Sequence, residues 1–144
     1  MKSYVLWADT RTGSSSLDNV LHSVYNLYNE SAKEKEYVSI NEPFNSNIRS
    51  KHPDLYNKYP AGNIKKFDVR SILELHDKVM SLSYGYKHIW SHLTLSQNFG
   101  LLHTIINNNT PVIFLTRENV PKKCLSLLLA KMSGNWGKPN VSYS

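Results

Sequence analysis

The stretch Ser3-Tyr-Val-Leu-Trp-Ala-Asp-Thr-Arg-Thr-Gly-Ser-Ser-Ser16 decides the fold. Its first half, Ser3 to Ala8, is a compact apolar and aromatic run that predicts a buried strand. From Ser14 the period changes. Leu17, Val20, Leu21, Val24, Leu27 and Tyr28 recur at helical spacing and predict an amphipathic helix. Between the two lies the loop Asp9 to Ser16, rich in Thr, Ser and Gly. A strand that passes through such a loop straight into a helix begins an α/β unit. It also aims backbone N–H groups and the positive helix end at one point, which suits a phosphate or sulfate.

Working outward, Tyr37 to Ile40 predicts a second short strand, after the mixed-charge stretch Glu30 to Glu36. Residues 41–66 contain Pro43, Pro53, Pro60 and Gly62 and keep no period. A segment that long and irregular is expected to be functional or to hide an element. Asp68 to Met80 returns to helical spacing, with Ile72, Leu73, His76, Val79 and Met80 on one face. Lys87 to Trp90 predicts a third strand. Leu95, Phe99, Leu102, Ile105 and Ile106 predict a helix that the breaker Asn107 to Pro111 stops. Val112 to Thr116 reads as a core strand. Asn119 reads as the N-cap of a last helix with Leu125, Leu128, Leu129 and Met132 inward, ended by Gly134, Gly137 and Pro139. Strands alternating with helices predict an α/β fold in three layers, a mostly parallel central sheet flanked by helices. The expected organisation is one domain over residues 1–144.

The 17 Lys and Arg residues against 11 Asp and Glu give a net charge of +6, which favours anionic partners. Nucleic acid is disfavoured among them, because the basic residues are dispersed and the tyrosines do not interleave with them as a stacking platform does. The single cysteine, Cys124, excludes an internal disulfide framework and a Cys-rich zinc site. No run approaches the ~20 apolar residues of a membrane span. The apolar run after Met1-Lys-Ser3 is too short for a signal-peptide core, so the cytoplasm is the expected compartment.

Within the first loop, Gly13 permits a tight turn and close backbone approach, while Thr12, Ser14, Ser15 and Ser16 offer hydroxyls. Arg11 offers a fixed-charge fork for anionic oxygens. The loop is P-loop-like without being a Walker loop, because Ser14-Ser15 follows the glycine where lysine and Ser/Thr are needed. The plainer alternative is that Ser14 only caps the helix and Arg11 is solvated. A second signal is Phe114-Leu-Thr-Arg117, which puts a guanidinium at the C-terminal sheet edge where α/β proteins bind ligands, with Ser126 in the next helix. Its plainer alternative is a surface arginine and an ordinary helical serine.

Together these segments resemble the PAPS-dependent sulfotransferases, which use 3′-phosphoadenosine 5′-phosphosulfate, and especially the bacterial and carbohydrate-type members. Thr10-Arg-Thr-Gly-Ser-Ser15 is similar to the family's 5′-phosphosulfate loop. Phe114-Leu-Thr-Arg-Glu-Asn-Val120 through Ser126-Leu-Leu-Leu-Ala130 is similar to its 3′-phosphate segment, and Lys131-Met-Ser-Gly-Asn-Trp136 continues the likeness. Asn41-Glu-Pro-Phe-Asn45 is similar to a Glu-Pro-Phe segment after the second strand. The resemblance runs in order from residue 4 to residue 136 and is specific in the two anion-binding segments.

It implies a sulfotransferase moving a sulfuryl group from PAPS to a hydroxyl of a carbohydrate or small molecule, with no metal required. Arg11 with Thr12 to Ser16 would hold the 5′-phosphate, and Arg117 with Ser126 the 3′-phosphate. Glu42 would be the general base, its pKa raised toward neutrality by partial burial. The sequence departs from the family in one respect: members usually continue into a C-terminal loop that covers the nucleotide, for which Lys138 after Gly137 is a poor substitute, so a minimal version, a truncated one or one completed by a partner is expected.

His92 and His88 are the other candidate bases. On a predicted strand, four residues separate them by ~13 Å, so no shared metal is expected. His22, His52, His76 and His103 read as structural. Two other functions stay open: a nucleotide-dependent phosphotransferase with a variant P-loop, and a non-catalytic module binding anions or nucleic acid.

Overall fold

The computed structural model describes residues 3–32, 40–46, 53–56 and 63–134. The first strand, β1 (Tyr4–Ala8), is buried along its whole length and is the centre of a three-stranded sheet. It pairs in parallel with β2 (Gly85–Ile89) on one side and β3 (Val112–Leu115) on the other, in the order β2-β1-β3. Helix α1 (Ser14–Ala32) follows β1, and α2 (Val69–Leu82) precedes β2. Helix α3 (Leu95–Asn107) joins β2 to β3, and α4 (Val120–Ser133) follows β3. The fold is α/β, with helices flanking a parallel sheet as expected.

The pleat of β1 divides the core. Val5 and Trp7 face α2 and α3 and pack with Ile72, Leu75, Val79, Tyr86, Leu101 and Ile105. Tyr4 and Leu6 face α1 and pack with Tyr84 and the half-buried Leu17, Leu21 and Tyr25. The approach between β1 and β2 is close: a Cβ on Gly85 would collide with the Tyr4 carbonyl. The helix ends follow local chemistry. Asp68 caps α2 by accepting from the Ser71 N–H at 2.8 Å, Thr94 and Gln97 form a capping box on α3, and Asn119 caps α4. Gly134 ends α4 in the left-handed conformation.

Several expectations about faces are corrected. Val112 to Leu115 is an edge strand and not a core strand, and its Phe114 is 62% exposed. In α1, Val20, Val24, Leu27 and Tyr28 point outward, and the buried positions are Ser14, Asp18 and His22. In α3, Leu95, Phe99 and Ile106 are exposed, whereas Gln97, Asn98, Leu101 and Ile105 are buried. In α4, Leu125, Leu128 and Met132 are exposed and Ala130 is buried. In α1 and α3 the reason is that hydrogen-bonded polar side chains, Asp18, Gln97 and Asn98, occupy inward positions. Gln97 donates to the carbonyls of Ile64 and Phe67, and Asn98 to those of Trp90, Leu93 and Thr94. The expected strand Tyr37 to Ile40 lies outside the described residues except for Ile40, which is buried. Asn41 beside it accepts from the Lys87 N–H at 2.7 Å, so this segment runs along the outer edge of β2.

Candidate functional site

The C-terminal ends of β1, β2 and β3 converge on the first loop. Arg11 (φ 59°) and Gly13 (φ 81°) both adopt the left-handed conformation there. For Gly13 this costs nothing sterically, and among the described residues no atom beyond its chain neighbours lies within 4 Å of a Cβ built on it, so it faces open space there. Arg11 is not a glycine, and its conformation is held from both sides. Its Nε donates to Ser126 Oγ at 2.8 Å, and its carbonyl accepts from a terminal nitrogen of Arg117 at 3.0 Å. The Thr12 hydroxyl closes the turn onto the Asp9 carbonyl at 2.9 Å. Asp9 forms an ion pair with Lys123 of α4, and that hydrogen-bonded contact holds its carboxyl below the usual range. The two segments expected to bind anions, Arg11 to Ser16 and Arg117 with Ser126, are thus one cluster. Ser14 is buried, while Ser15 and Ser16 are exposed on the first turn of α1.

Glu42 lies at the same edge. Pro43 after it disfavours helical backbone at this position. Phe44 anchors the segment, buried edge-on against Tyr86 and His88 with ring centroids 5.6 and 5.4 Å away. The connection from Glu42 to the first loop is Lys87. It stands opposite Leu6 in the β1–β2 register and so points to the α1 side of the sheet. Its side chain is 3% exposed, forms an ion pair with Glu42 (16% exposed), and donates to Ser15 Oγ at 2.6 Å. The other Glu42 oxygen accepts from Asn45 Nδ2 at 2.7 Å.

The expectation that burial lifts Glu42 toward neutrality is corrected. Burial does push its pKa up, but the hydrogen bonds from Lys87 and Asn45 and the Lys87 charge outweigh it, so the carboxyl is held below its ordinary value. Beneath the pair, Asp18 of α1 is 1% exposed and accepts from the Tyr4 hydroxyl at 2.9 Å. Burial raises the Asp18 pKa, opposed by the Tyr4 hydrogen bond and the charges of His22 and Lys87.

The two candidate histidines separate clearly. His92 lies in the short 3-10 turn Trp90–His92 beyond β2, not on the strand. Burial lowers its pKa, opposed by the charge of Glu42, and its Nδ1 is shielded without a hydrogen-bond partner among the described residues. His88 is a core residue: its Nε2 meets Asn98 Oδ1 at 2.6 Å, its ring packs edge-on against Trp7 at 4.5 Å, and burial pushes its pKa down to about 4. His76 is likewise structural, its Nδ1 2.8 Å from the Tyr86 hydroxyl.

On the other side of the sheet edge, Trp7, Ala8, Asp9, Trp90, Leu115 and Thr116, with Phe114, line an open trough of about 230 Å³. Among the described residues no group of three or more His, Cys, Asp or Glu side chains is placed to hold a metal ion, and no helix is long and apolar enough to cross a membrane.

Sequence reasoning missed Lys87 and Asp18. A lysine inside a short apolar strand and an acid on the expected polar face of α1 carry no spacing signal. Only the β1–β2 register brings the lysine under the loop. Comparisons with protein-family models, with curated proteins and with solved structures each return no match to this chain.

Proposed function

We propose that the chain is a PAPS-dependent sulfotransferase acting on a hydroxyl of a carbohydrate or small molecule. The observation that carries this reading is the contact between Arg11 and Ser126, 115 positions apart in sequence, with Arg117 on the Arg11 carbonyl. The anion-binding loop and the second cationic segment thus lie side by side, close enough for one nucleotide to reach both with the phosphates at the two ends of its ribose. Arg11 and the backbone and hydroxyls of Thr12 to Ser16 hold the 5′-phosphate. Arg117 and Ser126 hold the 3′-phosphate, which separates PAPS from ATP.

In the reaction the acceptor oxygen attacks sulfur in line, and the bond from sulfur to the bridging oxygen breaks. Its electron pair stays on the departing 5′-phosphate, where Arg11 and the α1 N-terminus stabilise the charge. The acceptor proton passes to Glu42. His92 is the second candidate base, since burial keeps its imidazole neutral at pH 7 and the Glu42 charge favours the imidazolium. The aromatic trough offers flat apolar surfaces suited to the C–H face of a sugar ring or to a phenol. A reducing, cytoplasmic setting suits the single cysteine.

A phosphotransferase is favoured by one observation: Lys87 reaches Ser15, so a lysine stands near the loop despite its absence from the loop sequence. Calorimetry with PAP (adenosine 3′,5′-bisphosphate), ATP and a short oligonucleotide decides among the readings. Tightest binding to PAP supports the sulfotransferase. Tighter binding to ATP supports the phosphotransferase, and binding to the oligonucleotide alone supports a nucleic-acid module.

A further inference from the structure

Lys87 is a cation buried at the root of the anion loop, and its counter-ion is the residue assigned above as base. Its ammonium group touches Ser15 on the first turn of α1, where the helix leaves its leading N–H groups without intrahelical partners. It also holds one oxygen of Glu42, whose other oxygen is held by Asn45. In this arrangement Glu42 is engaged on both oxygens and is a poor proton acceptor, while the lysine that touches Ser15 is already neutralised by an internal carboxylate. Both defects have one remedy. We propose that Lys87 exchanges partners on donor binding: it leaves Glu42 for the 5′-phosphate oxygens at the α1 N-terminus and thereby frees Glu42 to take the acceptor proton. The inference rests on the sulfotransferase reading for the identity of the donor, and it gives the site an order of events in which the base is released only when the donor is seated. The exchange is short, because Ser15 Oγ already marks an oxygen position within reach of the ammonium group.

The test is PAP affinity by calorimetry for the unmutated chain, Glu42→Gln, and the charge-neutral double variant Lys87→Gln/Glu42→Gln. If Lys87 exchanges, Glu42→Gln removes the competitor and tightens PAP binding about fivefold or more. The double variant loses the lysine–phosphate contact and binds PAP about 10-fold or more weakly than Glu42→Gln, the effect expected of one charge-assisted hydrogen bond, and more than about twofold more weakly than the unmutated chain. If Lys87 stays with Glu42, deleting a neutral pair leaves PAP affinity within about twofold of the parent, which overturns the exchange. The double variant replaces both ions of the pair together; the buried Asp18 loses the Lys87 charge and the repulsion of Glu42 at once and keeps its hydrogen bond from Tyr4.

A crystal structure of the unmutated chain with PAP answers the same question without substitution. Lys87 Nζ within hydrogen-bond distance of a 5′-phosphate oxygen, and off Glu42, is the expected result; Nζ still on Glu42 overturns it. AMP separates this inference from the reading beneath it. If AMP and PAP bind equally but the order of variants holds, the sulfotransferase reading falls and the exchange stands. If PAP is preferred but the order is flat, the exchange falls and the reading stands.

Discussion

Replacing Lys87 by methionine keeps the length of the side chain and removes its charge, and the structure sets the cost. Deleting one partner of a fully buried ion pair costs about 3–5 kcal/mol, because the remaining ion loses its compensation. Here Glu42 keeps 16% of its side-chain surface in solvent and retains the hydrogen bond from Asn45, so about 2–3 kcal/mol is expected. For a chain of this size that corresponds to a melting temperature lower by about 10 °C at pH 7.

The pH dependence carries the diagnosis. In the parent, Lys87 and Asn45 hold the Glu42 carboxyl below its ordinary value, so its contribution to stability is present above the unfolded pKa and is lost as pH falls through the folded one. In Lys87→Met, burial without the cation pushes Glu42 up, and the acid neutralises as pH falls. The gap between parent and variant is therefore full above the raised Glu42 pKa of the variant and closes as pH falls through the lowered Glu42 pKa of the parent. Thermal unfolding followed by circular dichroism across that range measures it, and the double variant Lys87→Met/Glu42→Gln recovers the part of the loss that belongs to Glu42, with Asp18 still lacking the Lys87 charge. A Lys87→Met protein melting within about 2 °C of the parent at pH 7, or a gap that persists unchanged into acid, refutes the reasoning.

Gly13→Val forces a β-branched residue into the left-handed conformation at φ 81°, which costs about 1–2 kcal/mol, and it fills the open space before the loop. Calorimetry should show PAP binding abolished in a variant that keeps its circular dichroism spectrum; normal binding would make the loop a plain turn. His88 should remain a neutral imidazole down to about pH 4 in an NMR titration, because it is buried against Trp7 and Asn98, and a midpoint near 6.5 would place it in solvent. Leu128→Lys in α4 should shift stability by no more than about 0.5 kcal/mol in urea unfolding, since that side chain is exposed. A loss of about 2 kcal/mol or more would restore the inward face read from the sequence.

What was legible in the sequence is the part written in short-range pattern. The run Tyr4 to Ala8 followed by the Ser/Thr/Gly loop announces β1, the turn and α1, and the caps Asp68 and Asn119 mark two helix starts. Helix faces were legible where apolar residues dominate the interior, as at Ile72 and Val79 of α2, with His76 on the same face. They were misread where Asp18, Gln97 and Asn98 go inward, because a buried polar group is stabilised by partners from distant segments that no local period records. The same holds at the site. Arg11, Arg117 and Ser126 stand out by type and position, whereas Lys87 becomes visible only when parallel pairing sets it opposite Leu6, beneath Ser15. The protonation behaviour of Glu42 was misread for that reason: burial was foreseen and the buried cation beside it was not.

The central claim is that Arg11, Arg117 and Ser126 form the two ends of one site for a nucleotide with a 3′-phosphate. The most direct measurement is the ratio of PAP to AMP affinity in the unmutated chain, by calorimetry at fixed ionic strength, repeated with Arg117→Ala. A charge-assisted contact to the 3′-phosphate is worth about 1.5–3 kcal/mol, so PAP should bind about 10- to 150-fold more tightly than AMP. Arg117 also holds the Arg11 carbonyl, so Arg117→Ala should weaken both ligands while bringing their ratio close to one. Equal affinities for PAP and AMP in the unmutated chain would contradict the account.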